Sequence, residues 1–300
     1  MSDHFPRWLR HPVREGNDWM ARSRDLVTRS TAIEAVAPDP ALFGCTFELC
    51  TVFDLADRMP YPHLLAALPP LEAIWTARHA GFRPPEAEPA AGLRCWYRNQ
   101  TVSPAWLHAA GSNLAQLLHL LWRLGDTAEA NQALLTRWDF FELFNGRRRV
   151  AATEAATFRT FWQKHCAEPQ EILRRLGPVR AADVPFRDGH WMGDLIAGTS
   201  MVEIKTGVMT DEHLADAVLQ TVRYALLAQD TGYDVTDVVI YLARYGLVIQ
   251  TPLQQLADDL AGAAIDLDEG RSALASGHPP WRPNYRAAHH QGPMCGPDAS

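Results

Sequence analysis

The sequence predicts an α/β fold of layered α+β type, with a mixed β-sheet flanked by helices and a mainly α-helical N-terminal region before it. Three observations carry that expectation. Between about 154 and 250 the hydrophobic pattern runs helix, three strands, helix, two strands. Val235 to Ala243 is rich in β-branched residues, the composition of a buried strand. The first half of the chain carries apolar residues at helical spacing, punctuated by proline and glycine.

Taken in order, the first sixty residues read as short helices and loops, with Trp8, Trp19 and six arginines before position 30. Leu71 to His79 reads as helical, and Arg83 to Pro89, with three prolines, as a loop. Ser103-Pro104 is a helix start, a capping serine followed by proline in the first turn. That helix runs to Leu124, and Gly125-Asp126-Thr127 breaks it. A second helix reaches about Phe144 and stops at Asn145-Gly146. Glu154 to His165 and Pro169 to Leu176 are further helices. Arg180 to Thr206 is strand-like. Asp211 to Gln229 opens with acidic residues and repeats Leu214, Val218, Val222 and Ala225 at helical spacing. Leu247 to Gln250 is a strand after the Tyr245-Gly246 turn, and Thr251-Pro252 starts a last helix to about Ala273. The expected organisation is therefore a helical region over 1–145, an α/β domain over 146–275, and a tail over 276–300 that is rich in Pro, His and Gly and reads as disordered.

Composition narrows the class. Hydrophobic residues make up 47% and charged residues 21%, as in an ordinary globular protein. No apolar run has the length of a membrane span, and the N-terminus carries no signal-peptide core, so a cytoplasmic protein without membrane contact is expected. Cys45, Cys50, Cys95, Cys166 and Cys295 are odd in number and irregular in spacing, which argues against a disulfide framework or a zinc site. The net charge of −7 argues against indiscriminate nucleic-acid binding but allows a local basic groove, for which Arg147-Arg148-Arg149 and Arg174-Arg175 are the candidate runs. Of the 28 basic residues only Lys164 and Lys205 are lysines. In so arginine-rich a chain, a lysine that remains marks a place for a compact ammonium.

Lys205 stands in a suggestive hairpin. Asp194 to Ala197 and Met201 to Thr206 read as short strands, and Gly198-Thr199 suits a two-residue turn with glycine first. That turn pairs Ala197 with Ser200, Ile196 with Met201 and Leu195 with Val202, and brings Asp194 opposite Glu203, with Cβ atoms about 5 Å apart. Two carboxylates so placed repel unless a positive charge sits between them. Lys205, two residues past Glu203, shares its face, while Val202, Ile204 and Thr206 point the other way. A divalent cation held by one or two carboxylates suits this arrangement. The plainer reading is a surface hairpin in which Lys205 neutralises Glu203.

These residues resemble the PD-(D/E)xK nuclease superfamily, especially its RecB-type exonuclease branch. The resemblance rests on Asp194, Glu203-Ile204-Lys205 with the following Thr206-Gly207, and Gln220 and Tyr224 four apart on the next helix. It covers roughly 154 to 250. It implies a restriction-endonuclease-like core and a metal-dependent nuclease, acting on DNA rather than RNA. Asp194, Glu203 and the Ile204 carbonyl would hold Mg²⁺ or Mn²⁺, and Lys205 would assist the attacking water. Gln220 and Tyr224 would contact nucleic acid or steady the metal shell. The upstream acidic ligand of the family would be Glu171 or Glu154. Gly193 stands where many members have proline, and only Cys295 follows the core, so no iron–sulfur cluster is expected. The N-terminal helical region is a candidate docking surface for a protein partner. A catalytically silent scaffold on the same fold and an RNase are the alternatives.

Overall fold

The computed structural model of the 300-residue chain describes residues 7–10, 18–34, 40–56, 152–186 and 191–276. The helices expected over 71–79, 103–124 and up to 144, the arginine run 147–149, and the tail beyond 276 lie outside the described residues.

The described helices are α1 (Arg7–Arg10), α2 (Asp18–Arg29), α3 (Pro40–Leu55), α4 (Ala152–Ala167), α5 (Pro169–Arg175), α6 (Asp211–Ala228), α7 (Leu253–Ala261) and α8 (Leu267–Ser276). The strands are β1 (Val179–Phe186), β2 (Trp191–Ala197), β3 (Ser200–Lys205), β4 (Asp237–Leu242) and β5 (Leu247–Pro252). They form one sheet in the order β1-β2-β3-β4-β5. β3 and β4 are parallel, joined through α6, and the other neighbours are antiparallel. The fold is thus α/β with a mixed five-stranded sheet flanked by helices.

Alternation along β4 shows how the sheet is covered. Val238, Ile240 and Leu242 pack with Leu214, Val218, Val222 and Leu226 of α6 and with Leu253, Leu256 and Leu260 of α7. Leu9, Trp19 and Met20 from α1 and α2 join the same core. Tyr241 points the opposite way, its ring against Phe47 of α3 and His165 of α4. Phe43, Phe47, Phe158, Phe161 and Trp162 extend that second layer as edge-on and stacked aromatic contacts. Among the described residues, helices from the N-terminal part therefore contribute to both faces of the sheet.

The second layer also buries a polar network. Asp54 of α3 accepts from Gln170 Nε2 at 2.5 Å and from Arg174 Nη2 at 3.1 Å, and His165 Nε2 lies 3.6 Å away. Burial alone would raise the Asp54 pKa, but His165, Gln170 and Arg174 together outweigh it and lower it. Arg174 is thereby committed to the interior side of its helix, and Arg175 pairs with Glu171.

Local signals explain the boundaries near the hairpin. α6 begins with Thr210 as its cap, the hydroxyl accepting from His213 N at 3.2 Å, and with Asp211 and Glu212 in the first turn. The single helix expected from Thr251 to Ala273 is instead two. Thr251 and Pro252 close β5, and Gly262 ends α7 in the left-handed conformation at φ 71°. The short helices expected in the first sixty residues include one of 16 residues, α3. Its apolar residues surround it rather than forming a stripe, so it has no helical period to read. Among the described residues no helix is long and apolar enough to cross a membrane.

The β2–β3 turn is locked from outside. Gly198 has φ 57°, its N–H donates to the Pro178 carbonyl at 2.9 Å, and a Cβ there would sit 2.0 Å from the Leu176 carbonyl oxygen. The α5–β1 connection thus seats the turn that sets the hairpin register. Gly198→Ala combines a disfavoured φ with a backbone collision and is expected to cost about 3 kcal/mol, read as a lower midpoint in urea unfolding. A loss below about 1 kcal/mol would contradict the locking.

Candidate active site

β2 and β3 pair as Ala197–Ser200, Ile196–Met201 and Leu195–Val202, the register read from the Gly198-Thr199 turn. The ladder stops one pair short of Asp194 and Glu203. Continued, it would next join Ile204 to Gly193 by backbone hydrogen bonds. Instead the Ile204 N–H donates to Asp194 Oδ2 at 2.7 Å. The Asp194 side chain replaces a rung of the ladder, so the strands stop pairing where their acidic residues stand. A residue's N–H and C=O leave a strand on the same edge, which puts the Ile204 carbonyl on the Asp194 side. The next residue alternates as it should: the Lys205 carbonyl accepts from Ala243 N, toward β4.

Glu203 and Lys205 meet α6. Lys205 Nζ donates to Glu203 Oε1 at 2.5 Å and to Gln220 Oε1 at 3.2 Å. Gln220 Nε2 in turn donates to Tyr224 OH at 3.0 Å. Glu203, Lys205, Gln220 and Tyr224 are thus one hydrogen-bonded group assembled from β3 and α6, and Asp194 of β2 lies close enough for its charge to act on Glu203 and for that of Lys205 to act on it. The Tyr224 ring packs on Phe186 of β1, with centroids 5.6 Å apart.

The electrostatics of the group are unbalanced. Glu203 is 1% exposed and Asp194 is part-buried, against a single ammonium. Burial raises the Asp194 pKa, opposed by Lys205 and by the Ile204 N–H. Burial, then the Asp194 charge, pushes Glu203 up to about 8, against the pull of Lys205. Burial and the Glu203 charge also raise Tyr224. Glu203 Oε1 is held by Lys205, whereas Oε2 is buried and has no hydrogen-bond partner among the described residues. An orphaned carboxylate oxygen beside a second carboxylate is a place for a cation. The available donors are all oxygens, which suits Mg²⁺ or Mn²⁺ rather than a softer metal.

The other residues singled out by sequence fall elsewhere. Glu171 is exposed on α5 and pairs with Arg175. Glu154 lies in the first turn of α4, with its side chain outside the described residues. Among the described residues no group of three or more His, Cys, Asp or Glu side chains gathers, so the candidate site offers two carboxylates and no third. Cys50 is buried, and burial followed by the Asp54 charge raises its thiol pKa. The bond from Lys205 to Gln220 spans 15 positions, and only the phase of α6 relative to β3 could have announced it. Searches against family profiles, curated proteins and solved structures give no match to this chain.

The raised Glu203 pKa makes the stability of the metal-free protein depend on pH. An unfolded glutamic acid titrates near 4.5, against about 8 in the fold. Stability from this group is fully present below the lower value and is lost as pH rises through the upper one. Glu203→Gln removes that loss, so the variant should gain on the wild type between about pH 5 and about pH 8.5 in urea unfolding with chelator present. Parallel curves for the two proteins would contradict the assigned environment.

Proposed function

We propose that this chain is a metal-dependent nuclease of PD-(D/E)xK type, hydrolysing phosphodiester bonds in DNA in preference to RNA. On this reading the sheet with α4–α6 is a restriction-endonuclease-like core, and the N-terminal helices are available for a protein partner. The observation that carries the proposal is the buried Glu203 beside the part-buried Asp194, with one ammonium on Glu203 Oε1 and the other oxygen, Oε2, buried without a hydrogen-bond partner among the described residues.

Asp194 and Glu203 would hold Mg²⁺ or Mn²⁺, with the Ile204 carbonyl on the same strand edge as a further oxygen. Such a cation, when bound, lowers the pKa of a coordinated water and stabilises charge developing on phosphate oxygens. The Asp194 carboxylate also anchors Ile204 through its backbone N–H, which fixes the two ligand-bearing strands against each other. Lys205, with its side chain 26% exposed, reaches from the buried carboxylate toward solvent and would meet the phosphate or orient the water. Gln220 and Tyr224 back that lysine from α6.

The test is cleavage by the full chain of single-stranded DNA, double-stranded DNA and RNA, with Mg²⁺, Mn²⁺ or chelator. Cleavage is expected with either metal and not with chelator. Asp194→Ala and Lys205→Ala are each expected to lower the rate by at least about 100-fold while the circular dichroism spectrum is retained. Cleavage of RNA alone would move the assignment to an RNase. Metal-independent cleavage, undiminished cleavage by both variants, or no cleavage of any substrate would overturn the proposal, the last in favour of a catalytically silent scaffold.

A further inference from the structure

The Lys205 ammonium donates both to a charged oxygen on β3 and to a neutral one on α6. Glu203 Oε1 is at 2.5 Å and Gln220 Oε1 at 3.2 Å. The neutral acceptor is itself held in place. Gln220 gives its amide nitrogen to Tyr224 OH, which turns its oxygen toward Lys205, and Tyr224 is 5% exposed with its ring on Phe186. The second oxygen of Glu203 is buried and has no hydrogen-bond partner among the described residues.

Resting on the metal site proposed above, we infer that Lys205 is a resident counter-ion that changes partners, held on Glu203 while no metal is bound and received by Gln220 when a divalent cation takes that carboxylate. A divalent ion on Glu203 repels an ammonium bonded to the same group. The repulsion weakens that bond, and in a part-buried site an ammonium drawn off it needs another acceptor to replace it. Gln220 is already within reach, is neutral, and so does not compete for the metal. Gln220 is then a positioning residue, acting on the metal site only through Lys205.

The experiment titrates Mn²⁺ calorimetrically into the full chain as wild type, Gln220→Leu, Lys205→Met and the double variant. Gln220→Leu should weaken Mn²⁺ binding about tenfold although Gln220 is not a ligand. In the Lys205→Met background the same change should have no effect, because the ammonium it serves is gone. A second readout uses the composition: Lys164 and Lys205 are the only lysines, so isotope-labelled lysine gives two side-chain signals. Mg²⁺ should shift the Lys205 signal and leave that of Lys164, which is bonded to the Thr31 carbonyl. Should Gln220→Leu not fold, the shift in the wild type decides alone. Mn²⁺ binding with an unmoved Lys205 signal, or an equal loss from Gln220→Leu in both backgrounds, overturns the inference and leaves the metal site standing. No Mn²⁺ binding in any of the four proteins overturns both.

Discussion

Two carboxylates share one ammonium where β2 and β3 part, and the surroundings keep that imbalance in place. Burial is the largest influence on both acids, and it works against their charged forms. A fold selected only for stability would replace one of them, since a buried charge without a full complement of partners is destabilising. Here the reverse has been built. The turn at Gly198 sets the register, the Asp194 side chain takes over the Ile204 rung, and Lys205 neutralises half of the pair. Strain of this kind persists where the surrounding structure over-determines it, and it concentrates at functional sites.

That over-determination comes from the layers. The sheet is covered on both faces, so neither strand of the hairpin can shift without disturbing a packed core. α6 belongs to the core and to the site together. Leu214, Val218 and Val222 bury its length against β3 and β4, while Gln220 and Tyr224 turn toward Lys205 and Glu203. A site carried on regular, packed elements holds its geometry more closely than one carried on loops. The same packing makes Tyr224 a poor free hydroxyl, because its ring is fixed on Phe186 and its oxygen already accepts from Gln220.

What could be read from sequence followed from local periodicity. α6 carries a clear 3.6-residue pattern, β4 is a continuous apolar run rich in β-branched residues, and a two-residue turn leaves one register for the hairpin, which is why its three ladder pairs could be written down from Gly198-Thr199 alone. What could not be read depends on tertiary contact. The length of α3 is invisible to a helical period because that helix is apolar all round. The break at Gly262 falls inside the run read as one helix from Thr251 to about Ala273, and it is the left-handed conformation there that ends α7. The Asp54, His165, Gln170 and Arg174 network joins residues up to 120 positions apart, and no spacing rule points to it. The replacement of a ladder rung by the Asp194 side chain was likewise not legible, because pairing rules predict that the ladder continues.

The two lysines show how far a compositional clue reaches. Both donate a short hydrogen bond to an oxygen. The Lys164 stem crosses Gly246 so closely that a Cβ there would lie 2.7 Å from Lys164 Cε, and its nitrogen ends 2.5 Å from the Thr31 carbonyl. Lys164 nonetheless serves the backbone between α2 and α3, far in sequence from any carboxylate pair. Retention of lysine in an arginine-rich chain is therefore not by itself a mark of chemistry. Lys205 differs from Lys164 in its company: a buried glutamate with an oxygen that has no hydrogen-bond partner among the described residues, an aspartate that opens the ladder beside it, and a neutral amide on the neighbouring helix.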